Sequence, residues 1–126
     1  MNNFTKRLTL LFYHDKDIYL YKSFLIESFG KVIFVNSYED ALKEYREHHI
    51  DIVILELNLQ YDKKFTYLKY VKEENPLNPV LVLSDDETVD TISHVVKLVI
   101  DGYYKVKFKK YNMVLIEIKL FLFNAV

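Results

Sequence analysis

Residues 50–59 read IDIVILELNL. An unbroken apolar run from Ile52 to Leu55 ends on a single carboxylate, Glu56, ahead of Leu57 and Asn58. The run is too continuously apolar to be a strand with one wet face. Strands of this kind belong to parallel sheets covered by helices on both sides, so the stretch predicts an α/β fold. A lone acid at the end of such a strand also lies where open α/β sheets place their sites, beyond the carboxyl ends of the strands.

The rest of the chain keeps the same alternation. LTLLFY (8–13) is a strand, and a helix from Ile18 to Phe29 follows, closed by Gly30 as a stop signal. KVIFVN (31–36) is the second strand. Ser37 with Asp40 forms a capping pair ahead of the polar-faced helix ALKEYREHH. After the strand at 50–57 a helix is expected from about Phe65 to Glu73, and Pro76 and Pro79 punctuate the loop before VLVLS (80–84). Asp85, Asp86 and Glu87 suit the N-terminal dipole of a fourth helix running to about Leu98. Residues 100–106 make a fifth strand, and a last helix begins near Lys109. The expectation is one (βα)5 domain over residues 1–126: a doubly wound, parallel, five-stranded sheet of flavodoxin-like order. The strand ends that matter are Tyr13, His14 and Asp15; Glu56 to Asn58; Ser84; and Lys105 to Lys107.

Bulk properties narrow the function classes. A chain of 126 residues, 51% apolar and 16% aromatic, packs one core rather than staying disordered. The net charge of −1 gives no electrostatic case for nucleic acid or an acidic membrane surface. Without cysteine there is no disulfide, thiolate metal site or cysteine nucleophile. The start MNNFTKRLTLLFY lacks a signal-peptide pattern and no stretch has membrane-spanning length, so a cytoplasmic protein is expected. Two glycines in total leave no nucleotide-cradling loop, and YHDKDIYL after the first strand cannot supply a flavin phosphate loop. Adjacent His48 and His49 diverge on a helix and read as a solvated end rather than a metal pair. The lysines at 105, 107, 109 and 110 read as a solvated strand–helix junction, because no recognition-helix pattern accompanies them.

Taken together, IDIVILELNL, NPLNPVLVLS and VVKLVIDGYYKVKF resemble, in order and spacing, a response-regulator receiver domain across nearly the whole chain; 28 positions separate Glu56 from Ser84. The resemblance implies a phosphorylation switch of two-component signalling. In such a switch an acid pair after strand one holds Mg²⁺ and an aspartate after strand three accepts the phosphoryl group. A threonine or serine and a lysine then grip it, and an aromatic on strand five repacks. The metal and the ammonium neutralise charge on the transferring group.

This chain departs from that pattern at most of those positions. Glu56 stands at the acceptor position, its carboxylate about 1.5 Å further out than an aspartate's, a misplacement that can cost ~100-fold. Two registers compete for the acid pair. With His14 as its second member, Ile18, Tyr21, Leu25 and Ile26 fall on the inward face of helix one; a shift by one puts Lys22, Ser23 and Glu27 there. The first register is preferred, which makes the pair Tyr13 and His14 with Asp15 just beyond. Any metal would have to use Asp15, Glu56 and the Asn58 carbonyl, a poor oxygen set, so neither Mg²⁺ nor another cofactor is expected. Ser84 fills the switch hydroxyl position or simply caps the fourth helix. The lysine position falls on Val106, or on Lys107 after a one-residue slip, and the switch aromatic is Tyr103 or Tyr104 accordingly. Only one of Val106 and Lys107 can face the pocket; Val106 is preferred. His14 is expected near Glu56 across adjacent strand ends, where the two could pair in place of a metal.

A non-enzymatic module follows: a degenerate receiver acting through protein contacts, or else a working phosphoacceptor served by a histidine kinase. The final helix bears on this choice. Met113, Ile116, Leu120 and Phe123 line one side, and Leu115, Ile118 and Leu122 line the other. A helix that is apolar all round needs a second burial partner. A homodimer is therefore expected through the face built from the fourth helix, fifth strand and fifth helix, the usual partner surface of receivers.

Overall fold

The computed structural model describes residues 4–14, 19–57, 62–84 and 102–105. A 3-10 turn (Phe4–Arg7) leads into β1 (Thr9–Tyr13), α1 (Tyr19–Ser28), β2 (Lys31–Val35), α2 (Tyr38–Glu47), β3 (Ile52–Leu57), α3 (Asp62–Glu74), β4 (Val80–Ser84) and β5 (Gly102–Lys105). All pairings are parallel, in the order β2-β1-β3-β4-β5. The α/β parallel sheet expected from the alternation is the one observed. The helices expected at 85–98 and from Lys109 onward lie outside the described residues.

Strand alternation divides the apolar side chains into two cores, one on each face. Leu11, Tyr13, Val53, Leu55, Val80 and Val82 pack beneath Ala41 of α2 and Tyr67, Leu68 and Val71 of α3. Leu10, Phe12, Ile52, Ile54 and Leu81 pack beneath Leu25 of α1 and Phe29 just past its end. Both faces of β1 and β3 are therefore dry, which is why their sequences carry no polar alternation.

Local chemistry sets the ends of the elements. Ser37 caps α2, its hydroxyl accepting from the Asp40 amide at 3.2 Å, and the helix stops at Glu47, short of the histidines. His48 instead reaches back to Glu44 at 2.9 Å, and His49 meets Asp51 at 2.9 Å. Asp51 also accepts from the Thr9 amide and donates its own amide to the Thr9 carbonyl, which locks the entry of β1 to that of β3. Gly30 acts by close approach rather than as a helix cap. α1 ends two residues earlier, and a Cβ on Gly30 would stand 2.5 Å from the Lys6 carbonyl oxygen. The α3–β4 turn is held by Asn78, whose side-chain amide donates to the Tyr45 hydroxyl (2.8 Å) and the Ile50 carbonyl (3.3 Å).

Two further expectations need correction. Ile26, expected on the inward face of helix one, is 52% exposed. Leu25 and Phe29, four residues apart, already fill the groove over the sheet, and Ile26 falls on the flank of that narrow stripe. The third helix starts at Asp62, almost a turn before Phe65. The first turn, DKK, has no apolar residue to announce it.

Candidate functional site

At the carboxyl end of the sheet the register lines up residues in rows. Tyr13 sits beside Leu55, then Val82, then Tyr103. One residue on, Glu56 aligns with Leu83 and Tyr104, and Leu57 with Ser84 and Lys105. His14 follows Tyr13 out of β1 and extends the ladder to β2, its amide donating to the Val35 carbonyl at 2.9 Å.

Tyr13 and His14 leave the strand on opposite faces, and both are buried. The Tyr13 ring turns toward α3 and meets Tyr67 edge to face, with centroids 5.3 Å apart. The His14 ring turns toward α1 and lies edge-on to Phe12 (6.2 Å) and Phe34 (6.3 Å). The Lys22 ammonium lies 5.7 Å from the Phe34 centroid, on the solvent side of this aromatic group. Glu56 is half-buried and, by alternation from Ile52 and Ile54, belongs to the same face as His14.

The structure adds a residue that the sequence did not single out. Lys64, in the first turn of α3, is only 3% exposed. Its ammonium donates to the backbone carbonyl of Glu56 and lies 5.1 Å from the centroid of the Tyr13 ring. The adjacent Lys63 is solvated, with a long contact of 3.9 Å to Glu39. Nothing in the sequence separates the two lysines. Only the true start of α3 turns one inward.

Tyr67, behind Tyr13, is fully buried, and its hydroxyl finds no hydrogen-bond partner among the described residues. Burial, reinforced by the neighbouring phenols of Tyr45, Tyr13 and Tyr70, pushes its ionisation far above the usual phenol range. Tyr45 shifts the same way through burial, with the Asn78 hydrogen bond opposing.

The structure therefore brings Tyr13, His14, Glu56 and Lys64 to the strand-end crevice outside the carboxyl ends of β1 and β3, Tyr13 and Lys64 on the α3 side and His14 and Glu56 on the α1 side, with Ser84 and Lys105 one row above, on β4 and β5. Asp15, Asn58, Val106, Lys107, Leu115, Ile118 and Leu122 lie outside the described residues. His48 and His49 lie at the opposite end of the sheet. Among the described residues no three His, Cys, Asp or Glu side chains gather in a way that could hold a metal ion. No described helix is long and apolar enough to cross a membrane.

Among the described residues these strand ends offer a divalent ion few ligands. The positions assigned to the acid pair present a phenol ring and a ring-packed imidazole. The Glu56 carbonyl already accepts from an ammonium. Hard cations need several free oxygens, and an ammonium at the same oxygen repels them.

No protein-family model matches the chain, and no curated protein matches it. Solved structures do. The phosphorylated cyanobacterial phytochrome response regulator RcpA superposes with a TM-score of 0.78 at 22% identity, over 95% of this chain and 96% of that one. A CheY-like receiver domain protein from Methanospirillum hungatei JF-1 gives 0.76 at 14% identity, over 94% and 96%. The chemotaxis response regulator CheY4 of Vibrio cholerae gives 0.75 at 16% identity, over 91% and 98%. In architecture the chain is similar, along nearly its whole length, to response-regulator receiver domains: it has the receiver fold.

Proposed function

We propose that this chain is a receiver-type module of two-component signalling that works through protein contacts and takes no phosphoryl group in the Mg²⁺-dependent manner. The observation that carries this reading is the chemistry at the end of β1. Tyr13 and His14 are both buried and ring-packed, so neither position assigned to the acid pair offers the carboxylate that a metal-assisted phosphoryl transfer uses. Glu56, longer than an aspartate, supports it further, since a carboxylate held permanently at the acceptor position supplies charge without modification.

In this reading the module is cytoplasmic and self-associates as a homodimer. Its partner surface is the face of the fourth helix, β5 and the fifth helix. A working phosphoacceptor, served by a histidine kinase, is the second reading; Ser84, ending β4 beside Leu57, favours it. Incubation with acetyl phosphate and Mg²⁺, followed by intact-mass measurement, separates the two. No adduct is expected. A stoichiometric, Mg²⁺-dependent phosphate adduct replaces the first reading with the second.

A further inference from the structure

Lys64 is held where a lysine is doubly disfavoured. Its ammonium is buried, although a four-carbon stem normally lets the charge reach water, as Lys63 does one residue earlier. It also stands in the first turn of α3, where the helix dipole presents positive charge and favours anions. A charge kept against both penalties is held by specific partners. Two are visible: the Glu56 carbonyl at the end of β3, and the π face of Tyr13 at the end of β1. Tyr13 is in turn fixed by Tyr67 from the next turn of the same helix. The ammonium thus ties the ends of the two central strands to α3.

We infer that the Lys64 ammonium is the resident cation of the strand-end crevice and excludes divalent ions from it. This rests on the receiver reading for the identity of the crevice. A fixed monovalent charge seated between the Glu56 carbonyl and the Tyr13 ring repels a divalent ion at short range in a poorly hydrated setting. Unlike a metal, it cannot be withdrawn by a chelator, so the electrostatics of the crevice are set by the sequence itself.

Two NMR measurements on the intact chain test the inference. In the wild type, Mn²⁺ up to millimolar concentration is expected to leave the backbone amides of Tyr13, His14 and Glu56 no broader than those of Leu11 and Val53. The lysine ammonium region is expected to show one slowly exchanging resonance that disappears in Lys64→Met and survives Mn²⁺. Selective broadening of the Tyr13, His14 and Glu56 amides in the wild type overturns the inference. So does the absence of any slowly exchanging ammonium there, and neither outcome depends on a variant folding. Lys64→Arg, which keeps the charge, is expected to stay silent to Mn²⁺; selective broadening in that variant also counts against the resident cation. The acetyl phosphate experiment separates the two claims. Mn²⁺ broadening without a phosphate adduct removes the resident cation and leaves the receiver reading standing. An adduct that forms equally without Mg²⁺, with silent amides, leaves the resident cation standing and removes the reading of a module that takes no phosphate.

Discussion

Tyr13 and Tyr67 meet edge to face at 81°, one from the end of β1 and the other from the second turn of α3. A pair in this geometry contributes ~0.5–1.5 kcal/mol beyond its buried area. It also places a phenol hydroxyl in the core with no hydrogen-bond partner among the described residues.

Tyr67→Phe is therefore expected to stabilise the protein by about 1 kcal/mol at neutral pH, because it removes a buried polar group and keeps the ring. The sign at high pH follows from linkage. The folded state holds the Tyr67 proton above the unfolded value of 10.0, so the wild type loses stability progressively as pH rises beyond that value. Urea titrations between pH 7 and 11 should show a shallower alkaline decline in the variant, with Tyr45 still contributing its part. Identical alkaline slopes would contradict this account.

Gly30→Ala is expected to cost about 1–3 kcal/mol, since the new methyl meets the backbone carbonyl of Lys6 rather than the flexible end of a side chain. The loss should appear as a lower urea midpoint with little change in slope. A neutral result would mean that the 3-10 turn at Phe4–Arg7 yields freely.

Glu56→Asp alone is expected to remain unlabelled by acetyl phosphate and Mg²⁺. Shortening the carboxylate repairs one position and leaves Tyr13, His14 and Lys64 where they stand. Efficient labelling of this single variant would show that a metal pocket survives.

His14 and Glu56 each follow the last β1–β3 pair, Tyr13 and Leu55, and belong to the same face, so the carboxylate is expected to favour the protonated imidazole. In Glu56→Gln the His14 ring should titrate at lower pH than in the wild type. Ring carbon-proton NMR reads this directly, and an unchanged His14 titration would rule the pair out.

The homodimer proposed above predicts that sedimentation at micromolar concentration finds two copies in the wild type. Ile118→Glu combined with Leu122→Glu is expected to release monomers, because each introduces a charge on the second apolar stripe of the last helix. A monomeric wild type removes the dimer from the reading.

The fold was legible because burial on both faces leaves its mark as continuous apolar runs at 10–13, 52–55 and 80–83. The capping of α2 was legible for an equally local reason: Ser37 and Asp40 are three residues apart and need no tertiary partner. Lys64 was not legible. Its burial depends on a helix starting in the polar run DKK and on Tyr13 waiting across the chain at the end of β1, and neither leaves a periodic trace. Ile26 failed for the opposite reason. Helical spacing says which side chains share a face but not how wide a face the neighbouring sheet will cover.

The strand order carries a consequence for synthesis. β1, the first strand made, sits between β2 and β3, and β4 and β5 then join on the β3 side. Once β3 has emerged the sheet grows in one direction only, so the unpaired growing edge is first β3 and then VLVLS of β4, both apolar. Until residues 102–105 arrive, that edge offers its backbone groups to any neighbouring chain. A pause in synthesis after VLVLS has left the ribosome, and before residues 102–105 have done so, would leave open the stretch best suited to pairing with the wrong molecule.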